Sequence, residues 1–200
     1  MRKILQKRTN LIYELVGPSP QVLDLPAGYS WTRIDRAALD RFITHAGDAR
    51  RSARYTDYLE AGCVGFLVFA DQEWAAAAWL APASVMTQPS HLPPSIRGSA
   101  PWLFEDHTRA THRGRGLHRF LIAKRVQYAT THYDPVSCVA ATDINPGNLP
   151  SRRSYLSSGF SPAGRYTALT LSIPLTSTTF VTGWHQRRYT HPYNPQVQDE

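Results

Sequence analysis

Residues 113–117 read Arg-Gly-Arg-Gly-Leu, directly after a segment of strand character and directly before one of helical character. Two glycines permit a tight turn and a close approach of backbone to a ligand. A helix opening at Gly116 aims its unpaired N–H groups and positive dipole end at that turn. Strand, turn and helix together make a cradle for an anion and suit a pyrophosphate. Arg109, Arg113, Arg115 and Arg119 add positive charge around it. The turn lacks the Gly-Lys-Ser/Thr ending of a Walker loop. It also lacks the third glycine and the later acid of a dinucleotide fingerprint. A glycine-capped loop with solvated arginines is the plain alternative.

Other chemistry-bearing residues lie near by in sequence. Residues 148–160 run Asn-Leu-Pro-Ser-Arg-Arg-Ser-Tyr-Leu-Ser-Ser-Gly-Phe, and Asp143 ends the strand before them. Glu105 and Asp106 close the strand before the glycine turn. Successive strand residues face opposite sides, so parity sets Asp106 with Trp102 and Phe104 toward the cleft. His107, His112, His118 and His132 stand at spacings of 5, 6 and 14. Those spacings match no standard metal-ligand pattern, and no metal site is expected.

Several elements must position these groups. Leu11–Val16 reads as a short edge strand, followed by a connector rich in Pro and Gly. Tyr29–Ile34 alternates as a strand. Asp35 is a candidate N-cap for a helix ending near Gly47, and a second helix runs from Asp48 to Leu59. Val64–Ala70 and Glu73–Leu80 form a hairpin about Asp71-Gln72, although the alanines at 75–78 also suit a helix. Residues 81–99, with Pro82, Pro89, Pro93 and Pro94, read as a long functional or mobile loop. Pro101–Thr108 is a strand, Gly116–Thr131 a helix with a broad apolar side, and Val136–Thr142 a strand. Leu149–Ser157 is a short helix closed by Gly159. Arg165–Ile173 is a strand, with a last one at Thr179–Trp184.

Composition bounds the rest. A chain of 200 residues with 42% hydrophobic and 11% aromatic content is long enough for one cored domain and is not wholly disordered. Lys plus Arg is 22 against 15 Asp plus Glu, a net charge of +7 that favours anionic partners. Arginine dominates over lysine, which a GC-rich genome alone would also produce. Cys63 and Cys138 sit in or beside apolar runs and read as buried thiols, favouring a reducing, cytoplasmic setting. No apolar run approaches a membrane span, and no signal-peptide core follows the basic first residues.

Taken in order, the two glycine-bearing segments resemble the GNAT superfamily of N-acyltransferases, which use acyl-coenzyme A. The superfamily's first motif, Arg/Gln-x-x-Gly-x-Gly/Ala, is matched by Arg113 and Gly116, with His118 where Gly or Ala is usual. Its later pattern is matched by Asn148, Ser151, Tyr155, Gly159 and Phe160. The resemblance is clearest over residues 101–166. It implies an α/β (α+β) domain: a mixed, mostly antiparallel sheet flanked by helices, with splayed parallel strands ending at Thr108 and Thr142. It divides the chain into 1–28 (edge strand and connector), 29–174 (acyltransferase-like domain) and 175–200 (strand and tail).

The resemblance also implies roles. Backbone amides of Arg113, Gly114, Arg115, Gly116, Leu117 and His118 would bind the coenzyme pyrophosphate. The strand edge ending at Thr108, with Asn148 and Ser151, would hold the pantetheine arm. Tyr155 would protonate the leaving thiolate, since a phenol near pKa 10 suits a thiol of similar pKa. Asp143 or Asp106 would serve as base, unless ordered water does so. The expected co-substrate is acetyl-CoA or another acyl-CoA, and the expected partner a small-molecule amine acceptor. A longer acyl chain or an acyl carrier protein donor, and a non-catalytic module that binds coenzyme A, are the alternatives. No nucleic acid or membrane partner is expected, and a homodimer is left open.

Overall fold

A computed structural model describes residues 5–17, 23–46, 48–85, 100–133, 138–173 and 176–182. In chain order these form β1 (Leu5–Leu15), β2 (Tyr29–Arg33), α1 (Arg36–Ala46), α2 (Ala49–Glu60), β3 (Val64–Ala70), β4 (Glu73–Ala81) and β5 (Trp102–Thr108). A 3-10 turn (Ala110–His112), α3 (Leu117–His132), β6 (Ala140–Ile144), α4 (Leu149–Ser157), β7 (Ser161–Ile173) and β8 (Thr176–Thr182) follow. The strands make one sheet in the order β2-β3-β4-β5-β6-β1-β7-β8. Neighbours are antiparallel except β5 and β6, which are parallel. This is the mixed, mostly antiparallel architecture that the sequence predicts.

Local chemistry explains most boundaries. Asp35 Oδ1 accepts the Ala38 N–H at 2.8 Å and opens α1, and Asp48 Oδ1 accepts the Arg51 N–H at 3.0 Å and opens α2. Residues 75–78 are strand, not helix, because β4 lies inside the sheet with both faces covered, and Ala75 to Ala78 are fully buried. Small side chains there let helices approach both faces. On one face α1 and α2 bring Leu39, Phe42 and Tyr55 against Trp74, Trp79 and Trp102. On the other, α3 and α4 bring Ile122, Val126 and Tyr155 against Leu80, Leu103 and Tyr13.

One expectation fails here. The first strand is not at the edge: β1 lies between β6 and β7, antiparallel to both. Its sequence has edge-like polarity because Asn10 and Glu14 interrupt Ile12, Tyr13 and Leu15. Asn10 is nevertheless fully buried and hydrogen bonded to the hydroxyl of Tyr166 at 3.1 Å. Bounds also shift: the strand expected at Leu11–Val16 runs Leu5–Leu15, and the one expected from Thr179 begins at Thr176. The strand expected at Val136–Thr142 is β6, Ala140–Ile144, with residues 134–137 outside the described set; the one expected at Arg165–Ile173 begins at Ser161. Most of the loop expected at 81–99 lies outside the described residues, as does the end of the strand expected at Thr179–Trp184. Both cysteines are buried and neither is in a disulfide, and burial pushes the Cys138 thiol up to about 12. No described helix is long and apolar enough to cross a membrane.

The parallel pair creates the opening that matters. β5 and β6 are in register only at Trp102↔Ala141 and Leu103↔Thr142. Beyond that point β5 continues to Thr108 and β6 to Ile144 without further pairing between them, so the two strands part.

Candidate active site

The geometry starts with a bulge in β5. Glu105 adopts φ 52°, and the register with β4 passes from Ala77↔His107 to Trp79↔Phe104, so β5 carries one more residue than its partner. An inserted residue breaks the two-residue alternation. Glu105 therefore joins the α2 side, where Arg54 Nη2 lies 2.9 Å from its carboxylate. Asp106 turns to the side of α3 and α4. The parity argument that grouped Asp106 with Trp102 and Phe104 is thus corrected: Asp106 does line the cleft, but on the Leu103 face.

Arg125 of α3 fills the bulge. Its side chain is fully buried, with Nη1 donating to the carbonyl oxygens of Trp79 at 3.0 Å and Phe104 at 3.5 Å, and Nε to that of Leu121 at 3.1 Å. Its Nη2 donates to Asp106 Oδ1 at 2.5 Å. The hydroxyl of Tyr155, from α4, donates to Asp106 Oδ2 at 2.6 Å. His118 Nε2 stands 3.4 Å from the same Oδ2. Burial alone would push the Asp106 carboxyl up. The charge of Arg125, followed by His118 and the Tyr155 hydroxyl, outweighs burial and holds the carboxyl far below the usual carboxylate range. The Tyr155 phenol moves the other way, raised by burial first and by Asp106 despite Arg125.

Beside this cluster lies a cleft of about 610 Å³ between the N-termini of α3 and α4 and the free end of β5. Gly114 and Gly116 both adopt φ 76°, a conformation that glycine takes without penalty, and nothing lies within 4 Å of where a Cβ would stand on either. Gly116 is the N-cap of α3, and no side chain caps the exposed amides of its first turn. An anion would find donors, a favourable dipole and room there. The Asn148 side chain caps α4 by accepting the Ser151 N–H at 3.3 Å.

Of the residues singled out in the sequence, Asp106, Thr108, Arg113, Gly114, Gly116, Leu117, His118, Asn148 and Ser151 all line this cleft. Arg115 does not; its guanidinium sits 6.0 Å from the Tyr29 ring centre. Tyr155 is fully buried and is not among the lining residues. Asp143 lies on the opposite face of the sheet. It accepts from the Tyr166 hydroxyl at 2.6 Å, the Trp102 indole at 3.3 Å and, closely, the Asn10 amide. The residue that sequence reasoning missed is Arg125. A signal existed, since it stands among Leu121, Ile122, Val126 and Ala129 on the apolar side of α3.

No protein-family model matches the sequence, and no curated protein matches it. Solved structures do match. A GCN5-related N-acetyltransferase-like protein from Streptococcus suis superposes with TM-score 0.56 and 14% identity, over 84% of this chain and 63% of that one. The chain has the GNAT fold. An acetyltransferase from the GNAT family of Colwellia psychrerythraea gives TM-score 0.57 and 14% identity over 82% and 55% of the two chains. A tandem GNAT protein from the clavulanic acid biosynthesis pathway gives 0.58 and 17% over 84% and 53%. The chain therefore spans between half and two thirds of these three GNAT-fold proteins.

Proposed function

We propose that the chain is an N-acyltransferase that moves an acyl group, acetyl in the simplest case, from coenzyme A to a primary amine of a small molecule. The observation that carries this reading is the cleft opened by the parting of β5 and β6, floored by the uncapped first turn of α3. The α3 amides and Arg113 would take the pyrophosphate. The unpaired edge of β5 up to Thr108 would take the amides of the pantetheine arm, with Asn148 and Ser151 opposite. The thioester would then lie near the Asp106 cluster. The acceptor would come from the α1 and α2 side, where Asp143 would take the proton that the amine loses.

Differential scanning of the melting temperature with acetyl-coenzyme A, and thiol release across a library of amines, test this directly. A ligand at a hundredfold excess over its Kd adds about 2.7 kcal/mol to the native state. Gly116→Asp should remove that shift by placing a carboxylate in the cradle. Gly116→Asn carries a similar backbone strain without the charge and should keep more of it. A folded Gly116→Asp protein with the full shift would move the coenzyme elsewhere. A shift without thiol release from any amine would favour a binding module.

A further inference from the structure

The glycine turn, the two helix N-termini and the edge of β5 account for a coenzyme site, but they do not account for His118. The motif it occupies uses a small residue there. Instead the imidazole extends from the first turn of α3 to Asp106, with Nε2 sealed from water, 3.4 Å from Oδ2 and without a well-aligned hydrogen bond. The ring stands edge-on to Tyr155, centres 5.5 Å apart at 76°. His118 lines the cleft and Tyr155 does not. The Tyr155 proton is also committed to Asp106, at 2.6 Å. Two groups thus share one carboxylate oxygen, and only the histidine of the two lines the cleft.

We infer that His118, held by Asp106, is the acid that protonates the departing thiolate in this chain, a role its geometry suits better than that of Tyr155. The inference rests on the acyltransferase reading above. With Nε2 against Asp106, the proton in transit is assigned to Nδ1. The amine lone pair forms the C–N bond while the C–S bond breaks and its electron pair leaves on sulfur. The imidazolium gives its proton to that sulfur. The surplus proton of the amine passes to Asp143 and on to water, and water reprotonates the imidazole.

The proton balance agrees with this assignment. The proton's destination is a thiolate whose thiol lies near 8.5. A phenol starts near 10, and burial raises that of Tyr155 further, so the same transfer from it runs uphill. Asp106, kept anionic by Arg125, can orient the ring and balance its charge throughout, as an orienting carboxylate does for other proton-transferring histidines. Asp106 and Tyr155 contact the imidazole, His107 on β5, His112 and Arg113 before α3 and Arg119 on α3 line the same cleft, and Arg125 holds the other oxygen of Asp106.

The test uses the full chain, coenzyme A for binding, and acetyl-coenzyme A with the amine that the thiol-release screen selects. His118→Gln should leave coenzyme A affinity within about threefold and lower kcat by about 10²–10⁴. It should also abolish the descending high-pH limb of kcat, whereas Tyr155→Phe should keep that limb. His118→Ala should repeat the loss, which excludes an effect peculiar to glutamine. Wild-type turnover in a folded His118→Gln protein overturns the inference and leaves the acyltransferase reading standing. Weakened coenzyme binding with unchanged kcat does the same, by making His118 a binding residue. A wild-type chain that neither binds coenzyme A nor releases thiol overturns both.

Discussion

Asp106 and Asp143 stand near the ends of the two parallel strands, and each accepts a tyrosine hydroxyl at 2.6 Å. Their surroundings differ. The helix beside Asp106 donates a buried guanidinium and a histidine, while the neighbours of Asp143 donate an amide, a phenol and an indole. A full charge at 2.5 Å makes Asp106 a fixed anion, suited to orienting another group and unsuited to taking up a proton near neutrality. Neutral groups donate to Asp143, and the Arg8 guanidinium bonds to its neighbour Asn10 at 3.4 Å. What a strand-end carboxylate can do is therefore decided by the elements packed on its face.

The largest effect should come from Arg125→Met. The substitution keeps an unbranched apolar stem, but leaves Asp106 charged and the carbonyls of Trp79 and Phe104 without their donor. Removing one partner of a buried pair costs about 3–5 kcal/mol. Asn10→Ala, which strips one neutral donor from Asp143, should cost less, about 1–3 kcal/mol. Urea denaturation at pH 7 measures both. Equal losses would erase the contrast between the two clusters.

That contrast was only half legible in the sequence. The glycine turn, the α4 pattern and the two carboxylates stand out because turn chemistry and helix termini are local. They delivered the cleft and nine residues of its lining. The face on which each carboxylate lies was not local. The bulge at Glu105 adds one residue to β5, and nothing in Phe104-Glu105-Asp106 marks it. Arg125 was overlooked because an arginine in an apolar stripe is commonly read as a long stem reaching water, whereas here two open carbonyls wait for it. The place of β1 was hidden for a similar reason, since Asn10 finds its partners in Asp143 and Tyr166, more than 130 residues away. Tyr155 shows the opposite case. Its position in the motif was plain, but its burial beneath α4 depends on how that helix seats against Phe160 and α3.

The second effect is the pH dependence that the Asp106 cluster should show. The native Asp106 carboxyl is held below its unfolded value, which is about 3.9. Its contribution is fully present above about pH 5 and is lost as pH falls through the unfolded value toward the lower native one. Asp106→Asn should therefore cost about 3 kcal/mol at pH 7, with a gap to wild type that stays level down to about pH 5 and then narrows. Urea titrations between pH 7 and 2.5 read this gap. A gap that does not change below pH 4 would mean that the Arg125 pairing is not what the asparagine removes. Asp143→Asn is the companion measurement: as the proposed base it should act on the low-pH limb of kcat.

The smallest effect separates the two tyrosines. Tyr155→Phe and Tyr166→Phe each delete one hydroxyl and keep the ring, so Tyr155 retains its edge-on contact with Phe160 at 5.0 Å. A hydrogen bond to a charged group is worth about 1.5–3 kcal/mol, so the two variants should lose similar stability. Kinetics should tell them apart. Without its phenol, Asp106 still has Arg125 on Oδ1 and His118 beside Oδ2, so the anion keeps its place and the imidazole keeps its orienting partner. Tyr155→Phe should accordingly lower kcat by less than about tenfold, since no proton in flight is removed. Tyr166→Phe removes one of the two donors on Asp143 Oδ2, which keeps the Asn10 amide, and should shift the low-pH limb instead. A fall of about 10² or more in kcat for Tyr155→Phe, with coenzyme affinity and stability as expected, would return the acid's role to the phenol. It would also require the buried hydroxyl to leave Asp106 and reach the cleft during turnover, a movement that the 2.6 Å bond opposes.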